Sequence, residues 1–202
     1  NDINAGKFNS IDGRYLLNDE PQTIIQLLRS YEPSISNNKF HLFKKRGIKL
    51  TTNNLLGNSI EYSWREWIKV PKKTDGIMRI KLFFNKTIIQ KIKSFLYKDE
   101  QFWIYMKLSN GLIHKYRIVP KNAEDGLWIN PYIMDTKSTY SIDKIMFVAS
   151  NQKILSQNIK VNFEKITFKD HHNRVNDFFE INSNIKESIL ISSLNNFENK
   201  AP

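Results

Sequence analysis

The chain has 202 residues, 40% of them hydrophobic and 12% aromatic, which suffices for one folded domain and argues against intrinsic disorder. It contains no cysteine, so disulfides, thiol nucleophiles and Cys-ligated metal centres are excluded. A net charge of +11 admits a polyanionic partner such as nucleic acid, anionic lipid or acidic glycan.

The first predicted element is a short helix near the N-terminus. Pro21 suits a first helical turn, and Asp19 and Gln22 have the spacing of a capping box. Pro33 ends the helix, because the residue before a proline is pushed out of helical geometry. The apolar residues recur at helical spacing: Ile24, Leu27, Leu28 and Tyr31. We therefore predict a lead-in over residues 1–38 whose helix packs on the domain that follows.

From Lys39 the apolar residues alternate with a period of two, which predicts strands. Two short strands broken at Gly47 are expected first, and the segment 87–97 fits a strand or a helix equally well. The other predicted strands lie at 61–70, 77–84, 102–108, 112–119, 142–150 and 159–168.

The clearest single signal is a β-hairpin around Asn110 and Gly111. Asn-Gly is the favoured dipeptide of tight hairpin turns, and it separates two strand-like runs. In the first run Trp103, Tyr105 and Lys107 alternate with four apolar residues. One apolar face and one aromatic-to-polar face are therefore expected.

Many short strands with regular turn signals are typical of an all-β domain. We predict a two-sheet antiparallel β-sandwich of the jelly-roll or galactose-binding-like kind over residues 39–169. Residues 170–202 form a polar C-terminal tail, in which 185–197 could be a docked helix or frayed chain.

Several motifs resemble the extracytoplasmic C-terminal β-sandwich of bacterial polytopic, glycosyltransferase-like membrane proteins. They are WIKVP at 67–71, FWIYMKLSNG at 102–111, KYRIVP at 115–120 and EDGLWINPY at 124–132. The segment that precedes the sandwich in that family is resembled by IDGRY at 11–15, DEP at 19–21 and LLRSY at 27–31. The resemblance implies a periplasmic or cell-surface module tethered by a membrane region outside these residues. It brings no catalytic residues.

Catalytic and metal-binding patterns are weak. His171 and His172 beside Asp170 form the one local group resembling metal ligands, but adjacent histidines on an extended segment point to opposite faces and no third ligand has useful spacing. No metal or cofactor is therefore predicted. Paired carboxylates could hydrolyse a glycan, yet nothing singles out a pair among the candidates Glu61, Glu66, Glu124 and Asp125.

The aromatic residues point more clearly to a ligand. Sugar-binding domains stack sugar rings on exposed aromatic faces and add hydrogen bonds from neighbouring polar side chains. We predict such a patch at a loop carrying Trp128, Asn130 and Tyr132, with Arg117 on the preceding strand. Burial in the core is the alternative for each ring.

The leading functional hypothesis is a non-catalytic extracytoplasmic domain that binds carbohydrate or cell-envelope material. The alternatives are an accessory domain that packs on its own membrane region or on a partner protein, and a glycan-acting hydrolase or transferase. Nucleic acid is disfavoured because the basic residues are dispersed. The densest group, Lys44, Lys45 and Arg46 with Lys39 and Lys49, has the pattern of a solvated strand face.

Overall fold

A computed structural model describes residues 10, 12–36, 41–72, 76–84, 100–135, 138–151 and 155–168. They form mostly antiparallel β-sheet with two helices, which confirms the all-β class. The segment 87–97 and the tail from residue 170 lie outside the described residues, and so do the strand, helix and metal predictions made for them.

The helices of the described residues are α1 (Pro21–Ser30) and α2 (Pro120–Asp125), and a 3-10 turn covers Leu16–Asn18. Neither is long and apolar enough to cross a membrane. The strands are β1 (Tyr31–Ser36), β2 (His41–Lys45), β3 (Thr52–Leu56), β4 (Ile60–Ser63), β5 (Ile68–Lys69), β6 (Ile77–Phe83), β7 (Phe102–Leu108), β8 (Ile113–Ile118), β9 (Leu127–Asn130), β10 (Tyr132–Asp135), β11 (Ser138–Tyr140), β12 (Ile142–Ala149) and β13 (Asn158–Phe168).

Two larger sheets organise these strands. Sheet A has the order β5-β12-β7-β8, and sheet B has the order β3-β13-β6-β9 with β4 also paired to β13. Neighbouring strands within each sheet are antiparallel. Side chains from both sheets belong to one hydrophobic core, including Ile104 and Phe147 of sheet A and Ile80 and Leu82 of sheet B, all 0% exposed.

The predicted hairpin is present as β7 and β8, paired from Phe102 opposite Ile118 to Lys107 opposite Ile113. In the turn, the Asn110 side-chain oxygen accepts a hydrogen bond from the Leu112 amide at 3.1 Å. Gly111 has φ 88°, a left-handed value that glycine adopts without steric cost. The predicted alternation of faces is confirmed, since the apolar set on β7 is buried and its partners are half-buried.

The segment 61–70 was predicted as one strand, but it forms two separate strands. The chain turns between β4 and β5, and these two strands belong to different sheets. Arg65 takes a left-handed φ of 65° in that turn. Trp64, 9% exposed, anchors the crossing because its indole N–H donates to the Ser156 carbonyl at 2.9 Å. A hydrophobic alternation does not show that successive residues have changed sheets.

The lead-in contains the predicted helix, but its surroundings differ from expectation. Glu20, not Asp19, precedes α1, and it makes no side-chain cap. The strand β2 pairs with β1 and joins neither large sheet, while Ile48 is in no strand and is 87% exposed. Of the two strands predicted around Gly47, the first is therefore present as β2, in a two-stranded sheet with β1, and the second, predicted at Ile48 and Leu50, is wrong. The division predicted after residue 38 falls between β1 and β2.

The outer face of sheet B is covered where β6 meets β9. Arg79 of β6 is buried there, and its guanidinium lies 2.6 Å from the Glu164 carboxylate of β13. The same group donates to the Asp125 carbonyl at the end of α2, at 2.8 Å. Gly126, with φ 113°, follows α2, and a Cβ at this position would lie 2.9 Å from Arg79 Nη2. The close approach of helix end and arginine thus requires glycine.

Candidate ligand-binding surface

The four residues of the predicted patch do not form one surface. The stretch expected to be a loop instead forms the end of β9 and the start of β10. Trp128 is 1% exposed and Tyr132 is 0% exposed, so neither ring offers a face to solvent. Their predicted role in ligand binding stays a prediction, and the structure assigns each of them a clear packing role.

Trp128 is held by the N-terminal strap, the segment 12–19 that runs from sheet A to sheet B. Its backbone N–H donates to the Asn18 side-chain oxygen at 2.6 Å, and its indole N–H donates to the Pro131 carbonyl at 2.6 Å. Asn122 of α2 donates to the Asn18 carbonyl at 2.9 Å and fixes the strap in turn. These bonds satisfy buried polar groups that would otherwise cost stability.

Asn130 connects the two sheets. Its side-chain oxygen accepts from the Ile142 amide at 2.8 Å, and its side-chain nitrogen lies 3.4 Å from the Ile142 carbonyl. Both groups of the amide are thus engaged at the start of β12. A ligand could use them only by breaking this junction.

Tyr132 belongs to a buried polar cluster with Tyr15, His114 and Tyr116. Its hydroxyl bonds to the Tyr116 hydroxyl and lies 2.7 Å from His114 Nδ1. The rings of Tyr15 and Tyr132 stack with centroids 5.2 Å apart. Burial raises the pKa of Tyr132 and Tyr15 and lowers the pKa of His114. Each cause favours the neutral form, so Tyr15, His114 and Tyr132 are uncharged at neutral pH.

Arg117 lies apart from these residues, on the outer face of sheet A. It stands directly opposite Trp103, and its side chain is 40% exposed. Strand alternation places ten side chains on this outer face, which we call the open face: Lys69 of β5, Lys144, Met146 and Val148 of β12, Trp103, Tyr105 and Lys107 of β7, and Ile113, Lys115 and Arg117 of β8.

The two aromatic rings of the open face lie beside a cation. Lys115 stands opposite Tyr105, and its ammonium lies 4.7 Å from the Trp103 ring centroid and 5.7 Å from that of Tyr105. Such a contact at an exposed site is worth roughly 0.5–1 kcal/mol. It orders the ammonium over the rings, yet it is weak enough for a ligand to displace.

One end of the open face borders a shallow depression of ≈ 350 Å³. Its lining combines a ring, two cations, an amide and a carboxylate: Asp12, Gly13, Gln101, Trp103, Lys115 and Arg117. Planar apolar area next to hydrogen-bonding side chains is the combination that orients small polar ligands.

Asp12 is positioned by the first turn of the N-terminal strap. The Gly13 carbonyl accepts from the Arg117 amide at 2.9 Å, which attaches the turn to the edge of β8. Arg14 Nε donates to Asp12 Oδ1 at 2.7 Å, and this bond holds the pKa of Asp12 below its usual range. The carboxylate is therefore ionised, and it also lies 3.3 Å from Arg117.

The carboxylates considered for catalysis have local partners. Glu124 and Asp125 both lie on α2 and face Lys121 at 3.7 and 3.6 Å. Glu66 accepts from the Ser63 amide at 3.0 Å, and Glu61 lies 3.8 Å from a lysine of β13. Within the described part of the chain, no three His, Asp or Glu side chains form a group that could hold a metal ion.

Comparison of the chain with protein-family models, curated proteins and solved structures finds no match. The open face with Trp103 and Tyr105 is therefore interpreted from the chemistry of its own residues. Their alternation with buried residues on β7 already indicated an outward face. What the sequence did not show is that this face stays open while the face carrying Trp128 is covered.

Proposed function

We propose that this domain is a non-catalytic module that binds carbohydrate of the cell envelope through the open face. The observation that carries the proposal is the pair of rings, Trp103 and Tyr105, beside a depression lined by hydrogen-bonding side chains. Stacking on an aromatic ring suits the apolar face of a sugar, while its hydroxyl groups need donors and acceptors at the ring edge.

The depression supplies both kinds of partner. The ionised Asp12 carboxylate accepts hydrogen bonds from hydroxyl groups, Arg117 donates, and Gln101 can do either. Arg117 is held by Asp12 at 3.3 Å and is therefore oriented before a ligand arrives. Preorganised groups bind with a smaller loss of conformational entropy.

The predicted jelly-roll topology, extracytoplasmic location and membrane tether belong to the same proposal. We propose that sheets A and B form the jelly-roll, galactose-binding-like sandwich, which is supported by their shared core. The extracytoplasmic location and the tethering membrane region follow from the family resemblance, and a glycan-binding role is consistent with them.

The test is the substitution Trp103→Ala, measured on an array of envelope glycans and by titration calorimetry against the best ligand. Loss of the stacking ring should weaken binding by at least about tenfold, or about 1.4 kcal/mol. The control is Phe83→Ala, since Phe83 is 42% exposed on the outer face of sheet B. Unchanged binding by Trp103→Ala, or binding of no glycan by the parent domain, would refute the proposal.

A second proposal is the accessory role, and a separate surface favours it. Leu55, Leu56 and Ile60 are 59%, 58% and 46% exposed along one edge of β13. Because these 202 residues contain no cysteine, Leu56→Cys introduces one thiol into the domain, from which cross-links to the rest of the full-length gene product can be sought. Packing on the membrane region predicts a cross-link from position 56 and none from Lys121→Cys; equal labelling at both would reject it.

A further inference from the structure

Three lysines form a row across the open face of sheet A. Lys144 of β12 stands in register with Lys69 of β5 on one side and with Lys107 of β7 on the other. Neighbouring strands are about 4.8 Å apart, so the row is about 10 Å long. All three side chains leave the same face, because their sequence neighbours Ile68, Ile145 and Met106 are buried.

This row is unfavourable for folding by itself. Like charges directly opposite each other on adjacent strands destabilise a sheet. Within the described residues, no ion pair joins any of the three lysines to a carboxylate, including Asp143 in the irregular step beside Lys144. Lys160 on β13, by contrast, lies 3.8 Å from the carboxylate of Glu61.

We infer that the row binds the anionic groups of an acidic glycan, an inference that rests on the proposed carbohydrate-binding function. A carboxylate, sulfate or phosphate on the sugar would supply the negative charge that the row lacks. The binding energy would then offset the repulsion among the lysines.

Lys115 gives an independent reason for an acidic ligand. Its ammonium lies over the Trp103 ring, so a sugar that stacks on this ring must displace it. A neutral sugar would lose that contact without replacing it. An acidic sugar would pair with the displaced ammonium, because the cation remains next to the ring.

The two ends of the open face therefore have different chemistry. The Trp103 end, with Asp12 and Arg117, binds hydroxyl groups and a ring face, whereas the row carries positive charge that no carboxylate of the described residues pairs with. Lys107 lies four positions after Trp103 along β7, a distance of about 13 Å. A single sugar cannot reach both ends, so the inferred ligand is an oligosaccharide or a longer glycan.

A single-stranded nucleic acid would also combine stacking with cation contacts. The ionised Asp12 beside the ring favours a glycan, because this carboxylate accepts hydrogen bonds from hydroxyl groups, which a glycan offers in number and a DNA strand offers only at its ends. We therefore favour the glycan, and binding of nucleic acid becomes one outcome of the test.

The experiment compares three acidic polymers with their uncharged counterparts: a polyuronate and its carboxyl-reduced form, a sulfated glycan and its desulfated form, and a glycan bearing phosphate monoesters and its dephosphorylated form. Titration of the wild-type domain should show at least one acidic polymer binding about tenfold more tightly than its counterpart. That preference should largely disappear between about 50 and 500 mM NaCl, because salt screens exposed charges.

The matched variants are the triple substitution Lys69→Met, Lys107→Met and Lys144→Met, and the controls Lys121→Met and Lys160→Met on other surfaces. Each exposed ion pair contributes modestly to binding, so the loss of three should weaken affinity for the acidic polymer by about tenfold. Its affinity for the uncharged counterpart should not change, and the controls should resemble wild type.

The possible results distinguish the acidic-ligand inference from the proposed glycan-binding function. If every acidic polymer binds no better than its uncharged counterpart, the acidic-ligand inference is overturned while the glycan-binding function stands. If no glycan of either kind binds, the proposed function fails as well. If a 20-mer of deoxythymidylate binds more tightly than all glycans, the surface is a nucleic-acid site and the inference is again overturned.

Discussion

Sheets A and B each carry a tryptophan directly opposite an arginine on the neighbouring strand, in two very different environments. In sheet A, Trp103 faces Arg117, whose side chain is 40% exposed. In sheet B, Trp128 faces Arg79, whose side chain is 3% exposed. The same pair of residue types in the same cross-strand relation is thus open on one sheet and buried on the other.

The difference comes from what covers each sheet. The N-terminal strap and α2 lie against the sheet B pair, where Asn18 bonds to the Trp128 backbone and Glu164 neutralises Arg79. On sheet A the strap meets the edge of β8 at Arg117, and its Tyr15 packs on Tyr116 from the buried side of the sheet. The covered pair therefore contributes to stability, and the open pair is available to a ligand.

The largest expected effect separates the two tryptophans. Trp128→Ala should lower the free energy of unfolding by about 3–5 kcal/mol, because a large buried ring is removed. Trp103→Ala should cost about 1 kcal/mol or less, since the ring is half-buried on the open face. Urea denaturation of both variants measures this contrast, and similar losses would show that the two environments do not differ in energy.

The second effect concerns the buried ion pair between Arg79 and Glu164. Glu164→Gln should destabilise the domain by about 3–5 kcal/mol, because it leaves the buried Arg79 charge without a counter-charge. The matched control is Glu61→Gln, which removes an exposed partner of Lys160 and should cost no more than about 1 kcal/mol. The double variant Arg79→Met with Glu164→Met should recover much of the loss; no recovery would mean that packing, not charge, dominates.

The third effect tests the strap itself. Asn18→Ala should cost about 1–3 kcal/mol, because the buried Trp128 amide loses its acceptor. Asp12→Ala, at the exposed end of the strap, serves as the comparison and should change stability less. Thermal unfolding of both variants measures the loss of stability. An equal loss would contradict the idea that the strap stabilises the domain mainly where it covers Trp128.

The smallest effect is a pH dependence from His114. Burial lowers its folded-state pKa, so below about pH 6.5 the unfolded chain binds a proton that the folded chain does not. Stability should therefore be complete above that pH and fall as the pH drops towards the folded-state pKa. The facing hydroxyl of Tyr132 stays neutral over this range, because burial raises its pKa.

Melting temperatures between pH 5 and 7.5 measure this dependence, with His114→Gln as the control. The variant should have a flatter profile than wild type over the same interval. An identical slope in both proteins would assign the acid sensitivity to other groups.

Local patterns predicted much of the fold correctly. The Asn110-Gly111 turn, the alternation along β7 and the helix from Pro21 all depend on contacts within a few residues, and each was readable in the sequence. The strands β12 and β13 were found within one or two residues for the same reason.

Predictions that depended on distant partners succeeded less well. Each strand has several compatible partners in the sequence. The pattern therefore did not show that β4 and β5 belong to different sheets or that β2 pairs with β1. The predicted patch combined Arg117 with Trp128, although each residue has its own cross-strand partner on a different sheet. Alternation indicates that a residue points away from its neighbours, but not which sheet or which cover it meets.

Composition and short-range pattern alone thus established an all-β chain without cysteine chemistry, with one secure hairpin and an outward aromatic row on β7. Tertiary structure alone decided which Trp–Arg pair is open and that Lys69, Lys144 and Lys107 stand side by side. The physical reason is that strand propensity and alternation are local properties of the sequence. Register between strands and burial beneath the strap depend instead on distant residues, such as Asn18 and Trp128, which are 110 positions apart.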